Sequence, residues 1–204
     1  MTTNRNIVFD LGGVLLNIDY HKTTAAFAQL GVQDFDSLFS QQNANELFEK
    51  LETGSISEDD FYAAVARYCA PGTNITQMEQ AWNAMLLNFR TDAIEHLQLL
   101  RQQEYNIYLL SNTNSIHLRA FEKILLAETG FPSITPFFNK AYYSHQIGLR
   151  KPHAEVYRFV AEDIGVKPEE LFFIDDSIQN VQAAIANNWK AYHLLPGQKI
   201  QDIV

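Results

Sequence analysis

A single carboxylate, Asp10, ends the apolar run at residues 6–10 and is followed by Leu11-Gly12-Gly13. The run has the length and the aromatic and β-branched content of a buried strand. In open α/β sheets, ligands bind at the carboxyl ends of the strands, where Asp10 would lie. A carboxylate at this place can be a nucleophile that attacks phosphorus, a metal ligand or the cap of the following helix.

Two further segments carry groups that suit an anion. Ser111 and Asn112 follow a second apolar run, where hydroxyl and amide groups, free backbone N–H groups and the helix dipole can together bind phosphate. The same residue types are ordinary helix caps. Lys151 precedes Pro152, a residue that suits the first turn of a helix, and its ammonium group can hold a phosphoryl group against Asp10. A solvated surface lysine is the alternative.

The fourth segment places two adjacent acids, Asp175 and Asp176, after three apolar residues. At the end of a buried strand, these carboxylates repel each other and lose hydration unless a cation is present. Mg²⁺ is the natural counter-ion because it prefers oxygen ligands and keeps several waters. A nucleophilic acid, an anion cradle, a lysine and an acidic pair, each after a strand-like run, form one coherent site.

Strand-like and helical runs alternate after residue 91, which predicts a parallel sheet with right-handed crossovers. Between about Ile18 and Phe89 the pattern is helical, and we predict no strand there. The chain therefore divides into an α/β core domain (residues 1–16 and 90–204) and an inserted all-helical domain (residues 17–89). The predicted core strands span residues 5–10, 105–110, 140–143, 171–174 and 191–194, and the predicted core helices span 92–103, 115–128, 153–164 and 178–187.

Within the insertion, Asp34 and Asp36 are candidate helix starts, and Ser57 followed by three acids predicts another. The large apolar side chains of the insertion are expected to be packing residues rather than ligand contacts. They are Phe27, Leu30, Phe35, Leu38, Phe39, Phe61, Tyr62, Trp82 and Leu86.

The charge and composition exclude some classes of partner. The 204 residues carry a formal net charge of −9 without a cluster of Lys or Arg, so we expect no nucleic acid and no anionic membrane partner. No apolar stretch approaches the ~20 residues that span a bilayer. The chain begins without an apolar leader, and Cys69 is its single cysteine. These features predict a cytoplasmic protein whose partner is a small phosphorylated metabolite.

The four segments resemble the motifs of the haloacid dehalogenase superfamily, over residues 9–15, 109–112, 151–152 and 174–177. The resemblance implies a Rossmann-like parallel sheet with an inserted small helical cap domain, and hydrolysis through an aspartyl-phosphate. It implies that Asp10 is the nucleophile, that Ser111 and Asn112 bind phosphate and that Lys151 neutralises it. The implied Mg²⁺ ligands are Asp10, the backbone carbonyl of Gly12 and Asp176, with Asp175 nearby.

Gly12 departs from that pattern, because typical phosphatases and phosphomutases of the superfamily carry a second Asp there as general acid and base. Such help is worth about 10²–10⁴ in rate. The substrate can have a good leaving group, the cap can supply the acid, or the enzyme can be slow. Asp19 and His21 are cap candidates, although capping or surface roles are commoner, and His145 is a candidate substrate contact.

A subgroup with a similar Phe-Asp-Leu-Gly start acts on sugar phosphates, so the resemblance favours a Mg²⁺-dependent phosphatase for a small ester such as an anomeric sugar 1-phosphate. Carbon–halogen hydrolysis stays open because halide leaves without a proton. Against it stand the adjacent acids and the absence of arginine between Arg5 and Arg67, where dehalogenases carry a halide-binding arginine. A catalytically silent binding protein is the second alternative, supported only by Gly12.

Overall fold

The computed structural model describes residues 5–33, 35 and 42–204 of the chain. The candidate helix starts Asp34 and Asp36 lie outside these residues, as do the expected packing residues Leu38 and Phe39.

A five-stranded parallel sheet forms the centre of the core. Its strands are β1 (Asn6–Phe9), β4 (Asn106–Ser111), β5 (Lys140–Tyr143), β6 (Leu171–Asp175) and β7 (Lys190–His193). They lie in the order β5-β4-β1-β6-β7, and every neighbouring pair is parallel. The predicted fold class, a Rossmann-like parallel sheet with helices, is therefore confirmed.

Helices cover both faces of this sheet. They are α5 (Thr91–Gln102), α6 (Ser115–Thr129), α8 (Ala154–Ile164) and α9 (Ile178–Ala186), with the short helix α7 (Ser144–Ile147) after β5. Because side chains alternate along a strand, Ile7 and Phe9 pack in one buried cluster while Val8 packs in another on the opposite face. A strand buried on both faces needs a continuous apolar run, which is why residues 6–9 were recognisable in the sequence.

The insertion contains four described helices: α1 (Tyr20–Gln29), α2 (Gln42–Glu52), α3 (Glu58–Ala66) and α4 (Ile75–Asn83). They share a buried cluster that includes Phe27, Phe61 and Trp82, as the apolar pattern predicts. Ser57 caps α3, since its hydroxyl accepts a hydrogen bond from the Asp60 amide at 3.0 Å. The boundaries of the two domains at residues 16/17 and 89/90 stay a prediction.

The expectation of no strand in the insertion was wrong. Leu16–Ile18 (β2) and Leu86–Phe89 (β3) form a two-stranded antiparallel ribbon, with Leu16 opposite Phe89. Each strand has only three or four residues, and its partner lies about 70 residues away in the chain. Runs this short carry no reliable periodicity, and only the long-range pairing defines them as strands. The ribbon joins the core to the helical insertion.

The expected position of Pro152 in a first helical turn was also wrong. Helix α8 begins at Ala154, and Pro152 lies in the preceding turn after a cis peptide bond. Lys151 is therefore held by the loop between α7 and α8 rather than by a helix.

Candidate active site

The predicted site residues meet at the carboxyl ends of β1, β4 and β6. A cavity of about 610 Å³ lies between this edge of the sheet and the helical insertion. The predicted residues that line it are Asp10, Gly12, Ser111, Asn112, Lys151 and Asp176. Asp175 lies beneath it, fully buried. Four segments that lie between residues 10 and 176 of the sequence thus contribute to one site, because parallel strands end at the same edge.

Lys151 bridges two carboxylates at the floor of the cavity. Its Nζ atom lies 2.8 Å from Asp10 Oδ1 and 2.7 Å from Asp175 Oδ2, and the side chain is only 1% exposed. Burial by itself lowers the pKa of this lysine, but the charges of the two carboxylates outweigh it and raise the pKa above the ordinary value. The ammonium group is therefore charged, and it is not the solvated lysine of the alternative interpretation.

The acidic side of the site suits a divalent cation. Asp10, Asp175 and Asp176 each offer a carboxylate oxygen, and these oxygens all lie within 4.8 Å of one another. Burial raises the pKa of Asp10 to about 8, Lys151 opposes that shift, and the charge of Asp175 adds to it. Three close carboxylates against one ammonium group leave an excess of negative charge, which a bound Mg²⁺ would balance with the oxygen ligands it prefers.

The absence of a side chain at Gly13 leaves the space that the Asp176 carboxylate occupies. The Gly13 φ of +69° is a conformation that residues with a side chain rarely adopt, and a Cβ at this position would overlap the Asp176 carboxylate. The first loop and the acidic loop can therefore approach each other only with glycine at position 13. Partial burial and the charge of Asp175 raise the pKa of Asp176.

The neighbouring Gly12 faces an apolar side chain. A Cβ built there would lie 3.1 Å from Cδ1 of Ile18, in strand β2. Ile18 therefore occupies the direction in which a longer side chain at position 12 would start. An acid at this position is absent in sequence, and a side chain there would require Ile18 to shift by a few tenths of an ångström.

Asp175 is held on both of its oxygens. Its Oδ1 atom accepts hydrogen bonds from the Ser177 amide at 2.7 Å and from Asn180 Nδ2 at 3.1 Å. Its Oδ2 atom accepts from Lys151 and again from Asn180. These contacts fix Asp175 as a support for Lys151, and its predicted contact with the metal stays a prediction.

Asn112 holds the loop that carries the lysine. Its Nδ2 atom donates to the Lys151 carbonyl at 2.8 Å, and its Oδ1 atom accepts from the Lys151 amide at 2.9 Å. This reciprocal pair uses the side chain to position Lys151, a role that the sequence did not suggest. Ser111, buried at the end of β4, lines the cavity with its neighbour Thr113. Phosphate binding by Ser111 and Asn112 stays a prediction.

Asp19 and His21, the candidate general acids from the helical insertion, do not line the cavity. Asp19 is the N-cap of α1, where its Oδ1 atom accepts from the His21 amide at 3.0 Å. Among the described residues that line the cavity, Asp19, His21 and His145 are not found. The capping alternative for Asp19 is thus the one that the structure favours.

Four titratable residues that line the cavity were not singled out in the sequence: Tyr20, Glu52, His117 and Arg150. Tyr20 and Glu52 belong to the insertion, and only its folding over the sheet brings them to the site. Arg150 had one sequence signal, its position next to Lys151. For His117 the only signal was its place in the helix that follows the second motif.

His117 links the core to the insertion. Its ring stacks on Trp82 with centroids 4.8 Å apart, and Trp82 stacks in turn on Phe48 at 4.9 Å. The Nε2 atom lies 3.2 Å from the Trp82 carbonyl oxygen, and Nδ1 lies 3.2 Å from Asn114 Nδ2. Burial lowers the pKa of His117 to about 4, so the ring is neutral near pH 7.

Comparisons with known proteins agree with this geometry. The sequence pattern of the haloacid dehalogenase-like hydrolases matches residues 5–188. The D-ribitol-5-phosphate phosphatase of Bacteroides thetaiotaomicron is 32% identical over 177 residues, which cover 87% of this chain and 85% of that protein. A sesquiterpene phosphatase of Aspergillus oryzae is 26% identical over 195 residues, which cover 95% of this chain and 91% of that one.

A solved structure shares the whole architecture. It is a HAD family enzyme of Bacteroides thetaiotaomicron in complex with magnesium and inorganic phosphate, with a TM-score of 0.85 and 31% identity over 97% of this chain and 98% of that one.

Among the helices that the structure describes, none has the length and apolar character needed to cross a membrane.

These findings confirm the predicted enzyme class, a phosphoric monoester hydrolase, and the predicted magnesium cofactor, which suits the three carboxylates found here. With its pattern matched over residues 5–188 and its four motifs in one cavity, the chain belongs to the haloacid dehalogenase-like hydrolases.

Proposed function

We propose that this protein is a Mg²⁺-dependent phosphatase that hydrolyses a small polyol or sugar phosphate through an aspartyl-phosphate on Asp10. The observation that carries the proposal is the buried contact between Lys151 and Asp10 at the floor of the cavity, 2.8 Å from Nζ to Oδ1. A lysine held there can neutralise a phosphoryl group at the moment when it meets the carboxylate.

The first step transfers the phosphoryl group to the enzyme. A carboxylate oxygen of Asp10 attacks phosphorus, and the bond from phosphorus to the ester oxygen breaks. Lys151 offsets the repulsion between the two anions, and the Ser111 hydroxyl donates a hydrogen bond to a phosphate oxygen. Water then attacks phosphorus, which releases inorganic phosphate and restores the Asp10 carboxylate.

The residues that would hold Mg²⁺ are Asp10, Asp176 and the backbone carbonyl of Gly12, with Asp175 nearby. When bound, the ion supplies positive charge that stabilises the developing charge on the phosphoryl oxygens. The same charge favours the ionised form of Asp10, whose pKa burial raises to about 8. Lys151 acts on that carboxylate in the same direction.

The substrate class rests on the relatives and on the shape of the cavity. One relative is a D-ribitol-5-phosphate phosphatase and another is a sesquiterpene phosphatase, so similar chains accept different leaving groups. A cavity of about 610 Å³ can hold a phosphoryl group and a small leaving group. We favour a polyol or sugar phosphate, with an anomeric sugar 1-phosphate as one candidate. The cytoplasmic location and the absence of a nucleic-acid partner stay predictions.

A phosphate-release screen tests this proposal. The purified protein is incubated with Mg²⁺ and a panel of polyol 5-phosphates, sugar 1-phosphates and acyl phosphates, and inorganic phosphate is measured. Release from a polyol or sugar phosphate, lost on addition of EDTA, supports the proposal. Halide release from a 2-haloacid in EDTA, without phosphate release, would favour the dehalogenase alternative, and no release of either product would favour a silent binding protein.

A further inference from the structure

Hydrolysis of an unactivated phosphate ester needs a proton for the departing oxygen, and the usual source is missing at Gly12. Ile18 packs closely against this position, with its Cδ1 atom 3.1 Å from where a Cβ would lie. A side chain elsewhere in the cavity has to supply the proton if such an ester is the substrate. This inference rests on the proposed phosphatase function.

The described part of the cavity wall contains few groups that can exchange a proton. They are Asp10, Tyr20, Glu52, His117, Arg150, Lys151 and Asp176. Asp10, Lys151 and Asp176 already belong to the nucleophile, the phosphate and the metal. Arginine does not lose its proton in proteins.

Two of the remaining groups have unsuitable acidity. The buried His117 ring has a pKa lowered to about 4 and uses both nitrogens in hydrogen bonds, so it carries no spare proton near pH 7. Desolvation of the phenol at the cavity wall, followed by the charges of Asp10 and Asp176, raises the pKa of Tyr20 to about 12, although the residue as a whole is 64% exposed. A general acid works best when its pKa lies near the working pH. The remaining group is Glu52, whose side chain lines the cavity and is held by Arg150.

Contacts with the core fix Glu52 at the cavity wall. It is the last residue of α2, its side chain is 24% exposed, and its Oε2 atom accepts a hydrogen bond from Arg150 Nε at 2.9 Å. Arg150 immediately precedes Lys151, so the carboxyl group is tied to the loop that carries the phosphate-neutralising lysine. Gly54, just beyond the helix, packs so closely on the His145 carbonyl that a Cβ would overlap it.

The electrostatic surroundings also suit an acid. Burial raises the pKa of Glu52, Arg150 and Lys151 oppose this shift, and Glu49 on the same helix adds to it. The phenol of Tyr20, on α1, is the further titratable group whose pKa responds to the charge of Glu52. Burial is the largest of these effects, so the Glu52 carboxyl group binds a proton more readily than the carboxyl group of an exposed glutamate does.

We propose that Glu52 is the general acid and base that replaces the missing aspartate at position 12. As the bond from phosphorus to the ester oxygen breaks, the Glu52 carboxyl gives its proton to that oxygen and the alcohol leaves neutral. The resulting carboxylate then takes a proton from the water that attacks the aspartyl-phosphate, which restores the acid. Arg150 is a positioning residue that holds Oε2 and leaves the proton on Oε1.

The test compares two kinds of leaving group. A nitrophenolate departs from p-nitrophenyl phosphate without protonation, whereas the alkoxide of ribitol 5-phosphate requires a proton. For Glu52→Gln, kcat/KM for ribitol 5-phosphate should fall about 10²-fold or more, while kcat/KM for p-nitrophenyl phosphate should change less than about 3-fold. Arg150→Met should weaken activity with the same selectivity for the alkyl ester.

Glu49→Gln is the matched control. Glu49 lies on the same helix and contacts the same arginine, at 3.7 Å from Nη1, but it is not among the described residues that line the cavity. This variant removes the same charge and should change neither substrate's kcat/KM by more than about 3-fold.

Equal losses of Glu52→Gln on both substrates would assign Glu52 to holding the cap instead, and no loss on either would also overturn the proposal. Failure of the wild-type protein to release phosphate from either ester would instead refute the phosphatase function itself.

Discussion

Lys151 Nζ lies 2.8 Å from Asp10 Oδ1 and 2.7 Å from Asp175 Oδ2, so one buried cation joins Asp10 to the acidic motif. This arrangement gives the lysine a structural role beside the catalytic role that we propose for it. Its positive charge offsets part of the negative charge of the two carboxylates at a buried position. Removal of the lysine would leave both carboxylates without their buried counter-charge.

Lys151→Met should therefore destabilise the fold. The variant leaves Asp10 and Asp175 facing each other in a buried site, and we expect the free energy of unfolding at pH 7 without Mg²⁺ to fall by about 3–5 kcal/mol. Urea denaturation measures this change. Lys140→Met is the control, because Lys140 pairs with Asp163 at 2.6 Å on the surface, with its side chain 52% exposed, and should cost less than about 1 kcal/mol. Equal losses for the two variants would contradict the buried-bridge account.

Mg²⁺ should stabilise the protein through Asp176. Binding to the folded state alone raises the free energy of unfolding by about 2.7 kcal/mol when the ion concentration is 100 times its dissociation constant. We expect Mg²⁺ to raise the melting temperature of the wild type, and Asp176→Asn to lose most of that increase. Differential scanning fluorimetry with Mg²⁺ or EDTA measures both. A variant that keeps the full increase would remove Asp176 from the ligand set.

His117 should make the fold sensitive to mild acid. Its pKa is about 4 in the folded protein against an ordinary value of 6.5, so the unfolded chain binds the proton first as the pH falls. Stability from this residue is complete above pH 6.5 and decreases toward pH 4. Between pH 7 and pH 5 the free energy of unfolding should fall by about 2 kcal/mol more for the wild type than for His117→Gln, whose side chain does not titrate. Urea denaturation at the two pH values gives the comparison, and parallel losses would show that His117 is protonated in the folded state.

The core and its four loops were predictable because each signal is local. An apolar run such as residues 6–9 defines a buried strand by itself, and the polar residue that follows it then lies at the ligand-binding edge. The order of the strands was not predicted, and the site could be predicted without it because the strands of a parallel sheet end at the same edge.

Other features depend on contacts between distant residues. Strand β2 pairs with β3, Glu52 reaches Arg150, and His117 stacks on Trp82 only after the insertion folds over the sheet. Nothing in the local pattern distinguishes these residues from ordinary surface or core positions. The hydrogen bonds between the Asn112 side chain and the Lys151 backbone could not be predicted either, because an asparagine in a loop can equally be a helix cap or a ligand contact.

Turnover by Asp10→Asn tests the central claim most directly. Phosphate release from p-nitrophenyl phosphate is measured with Mg²⁺ for the wild type and the variant, with circular dichroism to verify that both are folded. If Asp10 is the nucleophile, the variant should lose about 10³-fold or more of kcat, because the amide cannot form the aspartyl-phosphate. A folded Asp10→Asn protein that keeps the wild-type rate would contradict the account.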